Sequence, residues 1–361
     1  MWPNTKLLEL LGLTLPIVQA PMAGANDSTL AIAVSEAGGL GSIPCAMLQA
    51  ENVRNEVARF REGSNHPVNL NFFCHKPADA NDISAGLEAW QTALRPFYEA
   101  NNIDSSIQIS GPNRAPFDAS MCELVESLQP EVVSFHFGLP AESLLDRVKT
   151  TGAVVLSSAT TAAEARWLEH HGCDAIIAQG AEAGGHRGIF LNSDIATQAG
   201  TFALVPQVVD AVSVPVIAAG GITDARGIVA AFALGASGVQ IGTAYLATPQ
   251  ATISDLHREA LAVAADDSTA LTNLFSGRPA RGIMNKIMRE IGPMSDRAPP
   301  FPTAGGALAP LKEAAEAQGH PDYSSLWSGQ SAALARRMDA GQLTRILAEE
   351  ALTLVAALNN K

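Results

Sequence analysis

The sequence predicts an α/β protein folded as a (β/α)8 TIM barrel with a helical C-terminal extension. Three observations predict it. Between Ile17 and Leu246 a short β-rich apolar run recurs, each followed by an alanine-rich stretch with helical periodicity. Most runs are continuously apolar, as strands buried on both faces of a parallel sheet are. The last two runs end in glycine, where barrels of this class commonly grip phosphate.

Taken in order, the expected strands are Ile17–Met22, Gly39–Pro44, Val68–Cys74, Val132–Gly138, Ala153–Ala159, Ala175–Gly180, Val214–Ala219 and Gly238–Leu246. Stretches between them, such as Thr29–Ala37, Thr161–His170 and Ala225–Leu234, carry the helical pattern. An open doubly wound sheet would show the same count, since strand number alone does not close a barrel. The long gap from Lys76 to Glu131 reads as an insertion holding two helices and the short run Ser106–Ser110. Residues 1–248 thus form the expected barrel, with an insertion at about 76–131, and residues 249–361 a helical substrate or lid segment. Within that segment Gly292–Gly306 is a Pro/Gly-rich bend, and a last helix is expected over Gly341–Asn359.

Composition narrows the function. At 361 residues with 47% hydrophobic and 16% charged residues the chain can bury a large core, which excludes extended disorder. The formal net charge of −13 repels polyanions, so no nucleic-acid partner is expected. Cys45, Cys74, Cys122 and Cys173 are scattered without a C-x-x-C, which suits neither a disulfide framework nor a zinc site and points to a reducing cytoplasm. The segment Leu7–Val18, interrupted by Glu9 and Pro16, reads as mature protein rather than a targeting signal. No other apolar run approaches the ~20 residues that cross a bilayer, so no membrane partner is expected either.

The chemistry gathers at the strand ends. Val214-Pro-Val-Ile-Ala-Ala-Gly-Gly-Ile-Thr-Asp and Gly238-Val-Gln-Ile-Gly-Thr place Gly220, Gly221, Gly242 and Thr243 after the last two strands, where backbone N–H groups can approach a phosphate. Paired glycines also serve simply to turn a strand into a helix. Asn71, Gln179 and Gln240 are amides near the carboxyl ends of apolar strands, and an amide can both donate and accept, which suits the edge of a ring with alternating N–H and C=O groups. Three such amides beside a phosphate grip favour a flavin mononucleotide. Ala20, Pro21 and Met22 form a turn whose backbone can lie along a flat ring. The loop Gly180-Ala-Glu-Ala-Gly-Gly-His-Arg-Gly-Ile-Phe sets His186 among Gly184, Gly185 and Gly188, and a histidine there suits a base or an anion-stabilising donor. His136 competes with it, because alternation in Ser134-Phe-His-Phe-Gly turns it into the barrel; a satisfied core histidine fits as well as a ligand-binding one. His170, His171, His257 and His320 are discounted, and no metal-ligand spacing appears.

Together, Gln19-Ala-Pro-Met-Ala-Gly, Asn69-Leu-Asn-Phe-Phe, Gly184-Gly-His-Arg-Gly-Ile-Phe, Ala218-Ala-Gly-Gly-Ile and Val239-Gln-Ile-Gly-Thr resemble the nitronate monooxygenase family, formerly 2-nitropropane dioxygenases, and its class I members most. The resemblance spans about residues 15–250. It implies an FMN-dependent oxidation of alkyl nitronates, propionate 3-nitronate included, by O2 to a carbonyl product and nitrite, through transfer of one electron from nitronate to flavin. It implies FMN contacts at Asn71, Gln179, Gly184, Gly221, Gln240, Gly242 and Thr243, and a catalytic role for His186. The partners implied are a small nitronate or nitroalkane and O2, acting on a monomer or homodimer. Family members carry tyrosine in a proline-rich segment corresponding to Pro300-Phe-Pro, where this chain has Phe301. Lys312 downstream can offer a positive charge to an anionic substrate. The alternatives are an FMN-dependent NAD(P)H:quinone or enoyl reductase on the same barrel and, more remotely, a flavin-binding barrel without turnover.

Overall fold

The computed structural model describes residues 1–104 and 114–359. Eight parallel strands form the central sheet: β1 (Ile17–Gln19), β2 (Gly41–Pro44), β3 (Val68–Phe73), β4 (Val132–His136), β5 (Val154–Ala159), β6 (Ala175–Gln179), and, after a two-residue strand β7 (Gly185–His186) outside it, β8 (Val216–Ala219) and β9 (Gly238–Ile241). The ladder runs β1-β9-β8-β6-β5-β4-β3-β2. The two end strands meet through the bridge Val18–Leu40, where Gln19 N donates to Leu40 O at 2.9 Å and Leu40 N to Ile17 O at 2.9 Å. The sheet is therefore a closed barrel and not a doubly wound sheet.

Burial explains the strands. All six residues of β3 and all five of β6 are buried, as expected when side chains face either the barrel interior or the surrounding helices. Two expected strands end early for local reasons: Pro21 has no N–H to extend the first ladder, and after Gly242 the eighth run turns into a short helix, Thr243–Leu246. The helix over Lys6–Leu11 drops Leu7 and Leu11 onto the bottom of the barrel, where they pack with Val18, Val132, Leu156 and Ile217. Leu7→Ala there would cost about 2–5 kcal/mol. Outer helices start on side-chain caps: Asp27 accepts from Thr29 N, Thr161 from Glu164 N, and Asp224 from Arg226 N and Gly227 N.

The insertion after β3 holds the two expected helices, Ala80–Ala100 and Ala119–Leu128; the expected run Ser106–Ser110 lies outside the described residues. The helical extension expected from about Pro249 onward also holds strands that were not expected. That stretch contains an antiparallel hairpin, β10 (Thr269–Thr272) and β11 (Ala280–Ile283), and β11 also pairs with β7. These strands are only four residues long, too short for alternation to stand out from the alanine-rich background.

Two packing facts tie this segment down. Helix Ala304–Glu316 packs on insertion helix Ala80–Ala100, with Trp90 Nε1 donating to Ala304 O at 3.1 Å and Leu94, Leu274, Ile287, Leu308 and Leu311 forming a second core over the barrel mouth. The last helix, Ala340–Asn359, returns to the barrel wall between helices Ser28–Ser35 and Ala225–Ala233, and Tyr245 Oη bonds Thr344 Oγ1 at 2.7 Å. The stretch after 249 thus leaves the barrel, covers its mouth and supplies the helix that completes the ring. Among the described residues no helix is long and apolar enough to cross a membrane.

Candidate active site

A cavity of about 600 Å3 opens at the carboxyl ends of the barrel strands. Its floor and one wall are the positions expected from sequence: the turn Ala20-Pro21-Met22, the amides Asn71, Gln179 and Gln240, and the glycines Gly184, Gly185, Gly220, Gly221 and Gly242 with Thr243. His136, His186 and Lys312 also line it. Phe301 stands behind the wall, its ring 5.6 Å from that of His186.

The glycine side is built from backbone. Gly220 and Gly221 have φ of 109° and 71°, a conformation that favours glycine, and this turns the chain sharply off β8 toward the cavity. The segment 328–331 closes over this turn: Gly329 N donates to Thr243 Oγ1 at 2.9 Å and Ser331 Oγ to Gly221 O at 2.8 Å. A Cβ at Gly184 would lie 2.5 Å from Gly329 N, so the loop after β6 can approach this segment only as glycine.

The three amides do different things. Asn71 Nδ2 donates to Ser134 Oγ at 2.8 Å, which fixes the amide at the cavity edge. Gln179 clamps the histidine loop from both sides, its Nε2 donating to His186 O at 2.9 Å and its Oε1 accepting from Gly188 N at 2.7 Å. Gln240 Oε1 is buried without a hydrogen-bond partner, which leaves an acceptor facing no donor of the protein.

His186 is held by chain far from it in sequence. Its strand β7 pairs with β11, and its Nε2 lies 2.8 Å from Ser276 Oγ. Arg278 O lies 3.2 Å from Ser276 Oγ and offers the hydroxyl an acceptor, an arrangement that suits a ring donating from Nε2–H to Ser276 with Nδ1 as its basic nitrogen. Burial, then the nearby Arg114, push the His186 pKa well below the usual histidine value, so the ring is neutral at neutral pH. Arg187, next in the chain, points the other way: fully buried, it donates to Gly180 O at 2.6 Å and Gln179 O at 2.8 Å and pins the end of β6.

His136 is not a free ligand. Its Nε2 donates to His186 O at 3.2 Å while Nδ1 faces Ser158 Oγ at 3.0 Å, and burial with the charge of Arg278 pushes its pKa down to about 3. Sequence reasoning missed His75, Arg114, Ser276, Arg278 and Trp327. The rings of Phe73, Phe137, Phe301 and Trp327 stand 5.5–6.3 Å from that of His186. His257, discounted from the sequence, is also among the lining residues, with its Nε2 donating to Trp327 O at 3.0 Å; the helical pattern of 255–262 does not say which face meets the barrel. His170, His171 and His320 are exposed. Lys312 is exposed at the rim and lies 3.9 Å from Glu316 Oε1. No group of three metal-ligating side chains occurs among the described residues.

Comparison with known proteins finds relatives along nearly the whole chain. A family model described as nitronate monooxygenase matches residues 4–350. A nitronate monooxygenase of Pseudomonas aeruginosa is 40% identical over 347 residues, covering 96% of this chain and 98% of its own. Among solved structures, nitroalkane oxidase from Streptomyces ansochromogenes superposes with a TM-score of 0.88 at 36% identity, covering 98% of this chain and 99% of its own. FabK from Thermotoga maritima gives 0.73 at 26% identity, covering 100% and 99%.

Proposed function

The chain belongs to the nitronate monooxygenase family, and on that premise we propose that it binds FMN across the barrel mouth and oxidises alkyl nitronates with O2 to a carbonyl product and nitrite. One observation carries the reading: a neutral histidine faces a cavity whose opposite wall offers glycine turns and the unpaired Gln240 Oε1. These residues suit the cofactor. The turns at Gly220–Gly221 and Gly242–Thr243 would hold its phosphate, Ala20-Pro21-Met22 and Gly184 would lie along it, and Asn71 and Gln240 would meet its ring edge.

Bound FMN would supply the one-electron acceptor that the protein's side chains lack. The chain does the rest. His186 Nδ1, neutral and unprotonated, takes the α-proton of a neutral nitroalkane, and Ser276 and the Gln179 clamp keep the ring and its loop in place for that transfer. Phe73, Phe301 and Trp327 keep water away from the reacting carbon. Phe301 offers no phenolic hydroxyl, so polar recognition of substrate falls to other groups. The net charge of −13 and the four free cysteines support a cytoplasmic setting and small-molecule partners.

The test is an absorption spectrum of the purified protein followed by oxygen-electrode traces with propionate 3-nitronate. A flavin spectrum and oxygen uptake are expected, and His186→Asn should keep the flavin yet lose about 100-fold or more in turnover of neutral nitroalkanes, with under about 10-fold loss on preformed nitronates. Rapid bleaching by NADH with no oxygen uptake on the nitronate would replace this reading with a reductase.

A further inference from the structure

The cavity has a second wall whose chemistry the redox step does not use. Six buried side-chain polar atoms among the described residues lack a hydrogen-bond partner, and three of them are guanidinium nitrogens: Nε and Nη1 of Arg114, and Nε of Arg278. A buried N–H without an acceptor is costly, and more so when charged, so such atoms in one place call for a missing partner.

Arg114 is the informative one. It lines the cavity, its guanidinium carbon lies 5.8 Å from the Phe301 ring centroid, and each edge of its fork carries an N–H without an acceptor, Nε on one and Nη1 on the other, so either edge is open to a two-oxygen group. No described carboxylate lies within ion-pair distance of it, and residues 105–113 contain no aspartate or glutamate. The second cation, Arg278, is occupied structurally, stacked 3.9 Å over Phe137 with Nη2 donating to Ile189 O. Glu164, the acid whose charge acts on it, already accepts from Thr160 N and Phe190 N at 2.7 Å each. The histidines facing this wall are neutral, and the permanent charges acting on His186 are those of Arg114 and Arg278, so its surroundings are electropositive.

We propose that Arg114 is the anion anchor of the site, its guanidinium fork receiving a planar two-oxygen group of the substrate while His186 faces the reacting carbon. This rests on the nitronate-oxidising reading. A planar fork matches such a group better than a point charge does. Two sources share that chemistry, the NO2 group of the nitronate and a carboxylate at the far end of the molecule.

The experiment titrates the flavin-loaded protein calorimetrically with nitrate, a planar oxyanion that does not turn over, and measures KM for propyl 1-nitronate and propionate 3-nitronate. Arg114→Met should keep the flavin spectrum and bind nitrate about 10- to 100-fold more weakly, and Arg114→Lys should recover only part of the loss. A KM increase for both nitronates assigns the NO2 group to the fork, and an increase for propionate 3-nitronate alone assigns the carboxylate. Nitrate affinity unchanged in Arg114→Met, or no nitrate binding to the unmodified protein, overturns the proposal. Arg114-dependent nitrate binding in a protein that oxidises neither nitronate would sink the enzymatic reading while leaving the anchor in place.

Discussion

The two sides of the cavity are built on opposite principles. At the glycine side, formed by Gly220, Gly221, Gly242 and Thr243, the shape is made by backbone, and segment 328–331 already satisfies Thr243 Oγ1 and the Gly221 carbonyl. In the chamber around His186 the shape is made by large side chains from the ends of β3 and β4, the insertion and the C-terminal segment, and polar atoms on Arg114, Arg278 and His75 have no protein partner. A wall shaped by backbone, with Gln240 Oε1 as an open acceptor beside it, can bind a constant group in one pose. One that leaves donors open keeps its discrimination for the group that varies, the substrate.

That contrast can be broken from either side. Gly184→Ala attacks the backbone side: the new methyl would sit 2.5 Å from Gly329 N and 2.6 Å from Ser328 C, and backbone cannot swing away as a side-chain tip can. Overpacking of this kind costs about 1–3 kcal/mol, so FMN affinity should fall about 10- to 100-fold in flavin-release titrations. Nitronate KM should scarcely change in the fraction that retains flavin. A large KM effect without flavin loss would mean that the two sides are not separable.

Ser276→Ala attacks the chamber without touching the glycine side. Removing the hydroxyl frees His186 to exchange its two neutral forms, and turnover of a neutral nitroalkane should fall about 10-fold, as loss of a group orienting a working histidine does. Preformed nitronate, which needs no proton removed, should be oxidised at nearly the original rate, and Ser276→Thr should restore nitroalkane turnover. Equal loss on both substrates would make Ser276 a packing residue only.

The same contrast governs what could be read in advance. Gly220, Gly221, Gly242 and Thr243 were legible because a turn off a barrel strand needs glycine at a fixed place relative to its own strand, a purely local signal. His186 was legible for the same reason, bracketed by Gly184, Gly185 and Gly188. Ser276 was not, because it meets His186 across 90 residues of chain through the pairing of β7 with β11, and neither strand announces itself in sequence. Arg114 lies in the insertion, where only three-dimensional packing brings it to Phe301. Gln179 was legible as an amide at a strand end but not as a clamp, since its partners His186 O and Gly188 N are backbone atoms that any residue supplies.

The smallest effect separates the sides by acid sensitivity. Burial, then Arg278 and Arg114, push the His75 pKa down from 6.5 to about 4. Between those values the unfolded chain holds a proton on this ring that the folded chain does not, so stability is full above pH 6.5 and falls as pH drops toward about 4. His136, down at about 3, adds a limb of the same sign that extends lower. His75→Phe should keep the ring packing against Phe301, now 4.7 Å between centroids, and remove an unpartnered Nδ1. Denaturant unfolding of the variant should match or exceed that of the parent at pH 7.5, and between pH 6 and about 4.5 the slope of stability against pH should shrink by up to one proton's worth. Gln240→Leu, which empties the unpaired acceptor on the other wall, should leave that slope unaltered because it removes no titrating group. An identical slope in His75→Phe and the parent would mean that His75 is solvated in the folded protein, and the chamber would then be wetter than its aromatic walls imply.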